Sequence, residues 1–278
     1  MSSASLTTKA LSVLAALTVA SAPLVAASPA HALANARNVS GSSTTSDSIV
    51  RLHIGNTACT GTMITPTWAI TARHCIPEGG IAGAAIGSST LSQFQQVPQA
   101  ILHPTADLAL VELPNQASSN TVDLYGAHVQ PGENGQAAGW GGYSAFGQNV
   151  AQQADVQIQR RVVNVPSPDR TAVLLEGTVS NGRLVPGDSG GPLYINGQLA
   201  GVLSMSTDVE NDALDGTVGW YIPVAEHAEW IAYYTGKHIA PIAGAPAELV
   251  DATANPTFIP APQPFTGSSI GGWALGSS

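Results

Sequence analysis

The chain is poor in charge, in basic residues and in cysteine. It has 278 residues, of which 10% are charged, nine are Lys or Arg, and two are Cys. Low charge beside 44% hydrophobic residues excludes a disordered, solvating polyelectrolyte and leaves ample material for a core. Nine basic residues under a formal net charge of −9 exclude the basic footprint of a nucleic-acid binder. No HExxH and no paired CxxC occurs, and His53, His103, His128, His227 and His238 fall at no metal-ligand spacing, so neither a metal nor a cofactor is expected. Long helical patterns are few, while 29 Gly and 19 Pro point to strands joined by many turns. The length suits one large β domain or two small ones.

The N-terminus reads as an export signal over residues 1–32. Lys9 precedes an apolar stretch from Ala10 to Ala27, and Ala30-His31-Ala32 forms an A-x-A cleavage site. A retained membrane anchor is the rival reading. Ser12, Thr18, Ser21 and Pro23 dilute the stretch and no strongly basic flank follows, so cleavage is favoured and no stable membrane insertion is expected afterwards. Export places Cys59 and Cys75 in an oxidising compartment, where one pair has one connectivity.

Beyond a Ser/Thr/Gly-rich, extended lead-in at 38–47, short β-type runs recur with turn residues between them. They cover 49–54, 61–64, 68–71, 81–86, 95–102 and 108–113. A second set covers 136–139, 153–165, 172–175, 193–195, 198–205 and 217–222. Such a series suggests a sandwich or barrel. Val224, Ala228, Ile231 and Ala232 fall at helical spacing, and Gly236 supplies a stop. From 240 to 278 the chain is rich in Pro, Ala and Gly and reads as a flexible tail.

Three segments carry chemistry. In Gly187-Asp188-Ser189-Gly190-Gly191-Pro192, flanking glycines let the backbone aim the amides of Gly187 and Ser189 into one small cavity. A serine hydroxyl needs such donors for the developing oxyanion, and also a base. In Thr71-Ala72-Arg73-His74-Cys75 a histidine closes an apolar strand beside a half-cystine. In Thr105-Ala106-Asp107-Leu108 a carboxylate opens another apolar strand. Read singly, these are a Gly-rich turn, a histidine beside a structural cystine and a turn acceptor.

Together they resemble the trypsin-like serine proteases, secreted bacterial members included. The stretch from Cys59 to Cys75 is similar to the family's strand pair and catalytic histidine, Asp107-Leu108-Ala109-Leu110 to its aspartate motif, and Gly187 to Pro192 to its nucleophile motif. Ala138-Gly139-Trp140-Gly141, Gly201-Val202-Leu203-Ser204 and Gly219-Trp220-Tyr221-Ile222 resemble further family strands in register. The resemblance covers residues 38–239 and implies an all-β fold of two packed six-stranded antiparallel β-barrels with a C-terminal helix. It implies a secreted serine endopeptidase acting on protein or peptide substrates as a monomer, with Ser189 as nucleophile, His74 as base and Asp107 as its orienting carboxylate. The amides of Gly187 and Ser189 would hold the oxyanion, and the backbone around Ser204 and Ser206 would pair with substrate.

The resemblance also implies a zymogen. Arg37-Asn38-Val39-Ser40-Gly41 resembles a departed form of the family's N-terminal motif, making 33–37 a short pro-segment. An activating protease would cut after Arg37, and the Asn38 amine would pair with Asp188. Alternatively Arg160 or Arg161 pairs with Asp188 internally, as in some bacterial relatives. Arg183, six residues before Ser189, falls at the base of the primary pocket and would favour acidic side chains. Asp208, Glu210, Asp212 and Asp215 on the opposite loop would favour basic ones, and Arg73 brings a charge near the cleft.

Two rivals differ in kind. Gly187-x-Ser189-x-Gly191 also fits the nucleophile elbow of an esterase, but that fold wants a helix after the serine and the order serine, acid, histidine. An inactive binding protein on a protease scaffold would tolerate loss of a catalytic residue, and none is lost here.

Overall fold

The computed structural model describes residues 33, 36–39, 43–54, 57–78, 83–89, 92, 94–114, 118, 120–141, 150–165, 173–207, 214–215, 217–239, 241–257 and 263–264. The export signal and residues 270–275 lie outside them. The strands are β1 (Arg37–Asn38), β2 (Ile49–Ile54), β3 (Thr57–Met63), β4 (Trp68–Thr71), β5 (Gly83–Ile86), β6 (Gln99–Leu102), β7 (Ala109–Glu112) and β8 (Asn134–Gly139). They continue with β9 (Gln152–Val163), β10 (Leu174–Ser180), β11 (Pro192–Ile195), β12 (Gln198–Ser206), β13 (Leu214–Asp215), β14 (Val218–Pro223), β15 (Leu249–Asp251) and β16 (Gln263–Pro264). Two short helices join them, α1 (Thr44–Asp47) and α2 (Ala228–Thr235).

Two β-bodies form. The first is an antiparallel sheet in the order β5-β2-β3-β4-β7-β6. It curls as a half-barrel, and a bridge between Ala84 and Gln95 ties β5 to the run that leads into β6. The second runs β9-β10-β14-β12-β11-β8, and pairing of β8 with β9 closes it into a six-stranded barrel. Side-chain alternation explains the strands: β9 buries every second residue over its first half, the signature of one face on a core. β14 is buried along its whole length, because it lies between neighbours β10 and β12 and under the C-terminal segment.

An apolar seam holds the bodies together. Ile49, Ile70, Leu108 and Leu110 from the first pack in one cluster with Trp140, Val202, Trp220 and Ile222 from the second. Polar links register them: the Trp140 indole donates to the Gly87 carbonyl at 3.2 Å, and the Trp140 amide to Thr60 Oγ1 at 2.9 Å.

Three local expectations are corrected. The lead-in is not wholly extended, since Ser43 and Ser46 bond reciprocally as a capping box and start α1. The C-terminal helical stripe begins as a 3-10 turn over Val224–His227 and only then becomes α2, which ends at Gly236 with φ 70°. The segment 241–257 is docked rather than flexible: β15 pairs in parallel with β9, Ala243 bridges Ala127, and Thr257 bonds to buried Glu176 at 2.6 Å. Composition hides this, because backbone and single-residue bonds make the docking.

Candidate active site

β4 delivers the histidine. Thr71 Oγ1 donates to the Thr60 carbonyl at 2.7 Å, and the chain then turns through a 3-10 segment, Arg73–Cys75, that carries His74. Cys75 is buried and bridged to Cys59 on β3, so this turn is covalently tied to the neighbouring strand. Asp107 lies in the loop between β6 and β7. The His103 ring closes that loop, Nδ1 accepting from the Ala106 amide at 2.9 Å and the Thr105 amide at 3.3 Å. Arg73 clamps it from outside, donating to the His103 carbonyl at 2.7 Å. Arg73 therefore serves the loop rather than adding an unpartnered charge to the cleft.

The loop presents Asp107 to three donors. His74 Nδ1 is 2.7 Å from Oδ2, the His74 amide donates to Oδ1 at 2.9 Å, and Ser204 Oγ donates to Oδ2 at 2.7 Å. The Asp107 side chain is 3% exposed and that of His74 30%. Burial pushes the Asp107 carboxyl up, but bonds from His74 and Ser204 outweigh it and hold the group below the usual carboxylate range. An ionised acceptor at Nδ1 fixes the proton there and leaves Nε2 as the basic nitrogen. Ser204 reaches Asp107 because the β12–β14 register shifts between Leu203 and Met205, turning it out of the strand's alternation.

Ser189 comes from the second body. Its turn has Gly187 at φ 101° and Gly190 at φ 79°, left-handed geometry that side chains resist. A Cβ on Gly190 would also collide with Thr71 Oγ1 on the histidine strand. The turn is stitched to the first body: the Thr60 amide donates to the Ser189 carbonyl at 2.8 Å, Thr60 Oγ1 donates to the Gly187 carbonyl at 2.9 Å, and the Cys75 sulfur lies 3.6 Å from the Ser189 carbonyl oxygen. Ser189 thus sits over the disulfide next to His74. Strand β11 follows it directly, so the helix that an esterase elbow requires is not there.

Asp188 points the other way, into the second barrel. It is 1% exposed, and its carboxylate accepts from the amides of Gly141 at 2.8 Å, Val185 at 2.9 Å and Leu33. Burial pushes this carboxyl up to about 7, with the three amides working against it. Neither arginine expected to pair with it internally does so. Asn38 lies in β1 and accepts from Gln152 Nε2 at 3.0 Å. Arg160 forks onto Glu176 at 2.8 Å, and Arg161 onto Glu226 at 2.6 Å. Leu33 carried no sequence signal beyond its place after the A-x-A motif.

Of the residues tied to specificity, Arg183 is buried beside Gly182, Ser204 is engaged by Asp107, and Ser206 is half-buried opposite Gly219. Asp208, Glu210 and Asp212 lie outside the described residues, as does the side chain of Asp215. Donor atoms of Cys59, His74 and Cys75 fall within 4.8 Å of one another, but both sulfurs are spent in the disulfide and cannot act as thiolate ligands.

A closed β-barrel against a half-barrel, with a C-terminal helix and a buried carboxylate–imidazole pair at the seam, defines the chymotrypsin fold. A model of the trypsin family matches residues 38–231, and the chain belongs to that family of peptidases. It is 99% identical over the whole of both chains to a peptidase of Corynebacterium glutamicum strain ATCC 13032. It is 28% identical over 204 residues to Trypsin-3 of Salmo salar, covering 65% of this chain and 84% of that one. The solved structure of neuropsin, a serine protease of mouse brain, superposes with a TM-score of 0.53 at 23% identity, covering 72% of this chain and 98% of neuropsin.

Proposed function

We propose that the protein is a secreted serine endopeptidase that cleaves peptide bonds through an acyl-enzyme on Ser189. The observation that carries the reading is the 2.7 Å bond between buried Asp107 and exposed His74, beside the turn that bears Ser189. In this mechanism His74 Nε2 takes the Ser189 proton as Oγ attacks the substrate carbonyl. The amides of Gly187 and Ser189 receive the oxyanion, and Asp107 stabilises the imidazolium without taking the proton. His74 then protonates the leaving amine, and water attacks the acyl-enzyme by the same base. A substrate in extended form would add as a strand along the backbone at 204–206.

Export is supported by the leader-like N-terminus and by the Cys59–Cys75 disulfide, which persists in oxidising compartments. No helix among the described residues is long and apolar enough to cross a membrane. Hydrolysis of a denatured protein substrate by the secreted chain, followed by mass spectrometry of the fragments, tests the reading. Cleavage lost in Ser189→Ala and in His74→Ala supports it, and cleavage that survives either change refutes it.

A further inference from the structure

Among the described residues no cation is placed against buried Asp188, since Arg160 and Arg161 are engaged by Glu176 and Glu226, and the chain already holds a different group against it. Leu33 is 0% exposed and packs with Leu184 and Tyr221 in the core of the second barrel, while its backbone nitrogen donates to the Asp188 carboxylate. Ala36 and Arg37 are docked as well. The Ala36 amide bonds back to the Leu33 carbonyl at 2.9 Å, and a Cβ on Gly182 would come within 2.6 Å of the Ala36 Cβ. Arg37 pairs with Gln153 across β1–β9 and forks onto Asp155 at 2.7 and 3.0 Å. Leu33 and Ala36 are thus inserted against the second barrel, and the bond after Arg37 is held in a β-ladder.

The sequence places a leader-cleavage motif, Ala30-His31-Ala32, immediately before this buried residue. From that coincidence we infer that removal of the leader between Ala32 and Leu33 is itself the activating cut. The Leu33 amine it frees is the partner of Asp188, and no second protease is required.

Hydrolysis of the Ala32–Leu33 bond adds one water, leaving a carboxylate on Ala32 and an amine on Leu33 that takes up a proton. An α-amine ordinarily titrates at about 7.7–8.0, so beside a carboxylate it is charged at neutral pH. The neutral amide donor at Asp188 becomes an ammonium, and the burial that pushes this carboxyl up is offset by a full opposite charge. Two further features fit a free terminus. Leu33 has φ 40°, a left-handed conformation costly for leucine, and that dihedral ceases to exist once the preceding bond is cut. The Tyr221 hydroxyl, in the same cluster and sensing the Asp188 charge, is buried with no hydrogen-bond partner, whereas an ammonium brings two more N–H donors than an amide.

The inference rests on the peptidase reading, and the test separates the two. The full chain is secreted from a bacterial host, its intact mass and N-terminus are determined, and reaction with an active-site fluorophosphonate is followed. The Leu33 amine is probed independently with an amine-acylating reagent. The expected secreted species begins at Leu33, is labelled, and has an α-amine that acylates at least tenfold more slowly than in Asp188→Asn. Arg37→Gln is expected to be labelled within twofold of the unaltered rate. A secreted chain that begins at Asn38, or that retains residues ahead of Leu33, overturns the inference, as does an α-amine acylated at the same rate in both forms. A chain that begins at a protected Leu33 yet is never labelled leaves the inference standing and refutes the peptidase reading.

Discussion

One hydroxyl decides how firmly Asp107 is held. Ser204 Oγ gives this carboxylate, 3% exposed, a bond of 2.7 Å beside those from the His74 ring and amide. Replacing it, as Ser204→Ala, is expected to lower kcat about tenfold with little change in KM, since the group acts on His74 rather than on bound substrate. Its steady-state kinetics across pH check this. Asp107→Asn is expected to cost roughly 10⁴ in kcat, because an amide holds the imidazole in the wrong tautomer. At this scale the sequence motifs singled out His74 and Asp107, which the structure joins by a bond, and Ser189, whose turn lies against Cys75. The Ser204 bond was not legible, because it depends on a register shift in β12 that no local pattern announces. Leu33 was equally silent: an isolated leucine after a leader looks like any other.

At the level of elements, the loop bearing Asp107 is held by a histidine pair. His103 Nδ1 accepts two backbone amides, so its Nε2–H donates to His227 Nδ1 at 3.2 Å, and the pair packs on Trp230. Burial lowers both rings, with Arg73 adding to the effect on His103. His227 is pushed down to about 4 by burial and then by His103, against the opposing pull of Glu226. Both folded-state values lie below the unfolded 6.5, so the unfolded chain binds protons that the folded one refuses. The stability that this pair contributes is therefore complete above pH 6.5 and is lost as pH falls from there towards 4. Between pH 7 and 5 the urea midpoint of the native chain is expected to fall relative to that of a His103→Gln, His227→Gln double variant. Midpoints that change with pH identically in the two proteins contradict the assignment. Strand identities were legible from alternation, as in β9, but α1 and the 3-10 turn before α2 were not, because caps and tight turns hang on two or three polar bonds.

Across the whole molecule, two segments outside the strand repeats finish the second barrel. Leu33 and Ala36, ahead of β1, pack into its core, and the segment 241–257 covers β9 and completes the bonds around Glu176. Glu176 is 4% exposed and holds Arg160, the Trp220 indole and Thr257 together. Deleting residues 241–278 is expected to leave a folded chain whose melting temperature is lower by roughly 4–8 °C, from loss of about 2 kcal/mol of sheet pairing and buried bonds. A calorimetric scan that does not shift would show the segment to be idle. The second body closes through β8 and β9, and in the first Gln95, ahead of β6, bridges Ala84 on β5. Closure depends on which strands meet across long loops, and strand periodicity carries no such information. The proposed mechanism requires the seam between the bodies, since its carboxylate and imidazole come from one and its hydroxyl from the other.

The most direct test of that requirement is to locate the covalent adduct of a fluorophosphonate on the secreted protein at neutral pH by peptide mass spectrometry. The account calls for a single adduct on the peptide that contains Ser189, absent in Ser189→Ala and formed at least 100-fold more slowly in His74→Ala. An adduct on any other residue, or none on a chain that begins at Leu33, would contradict it.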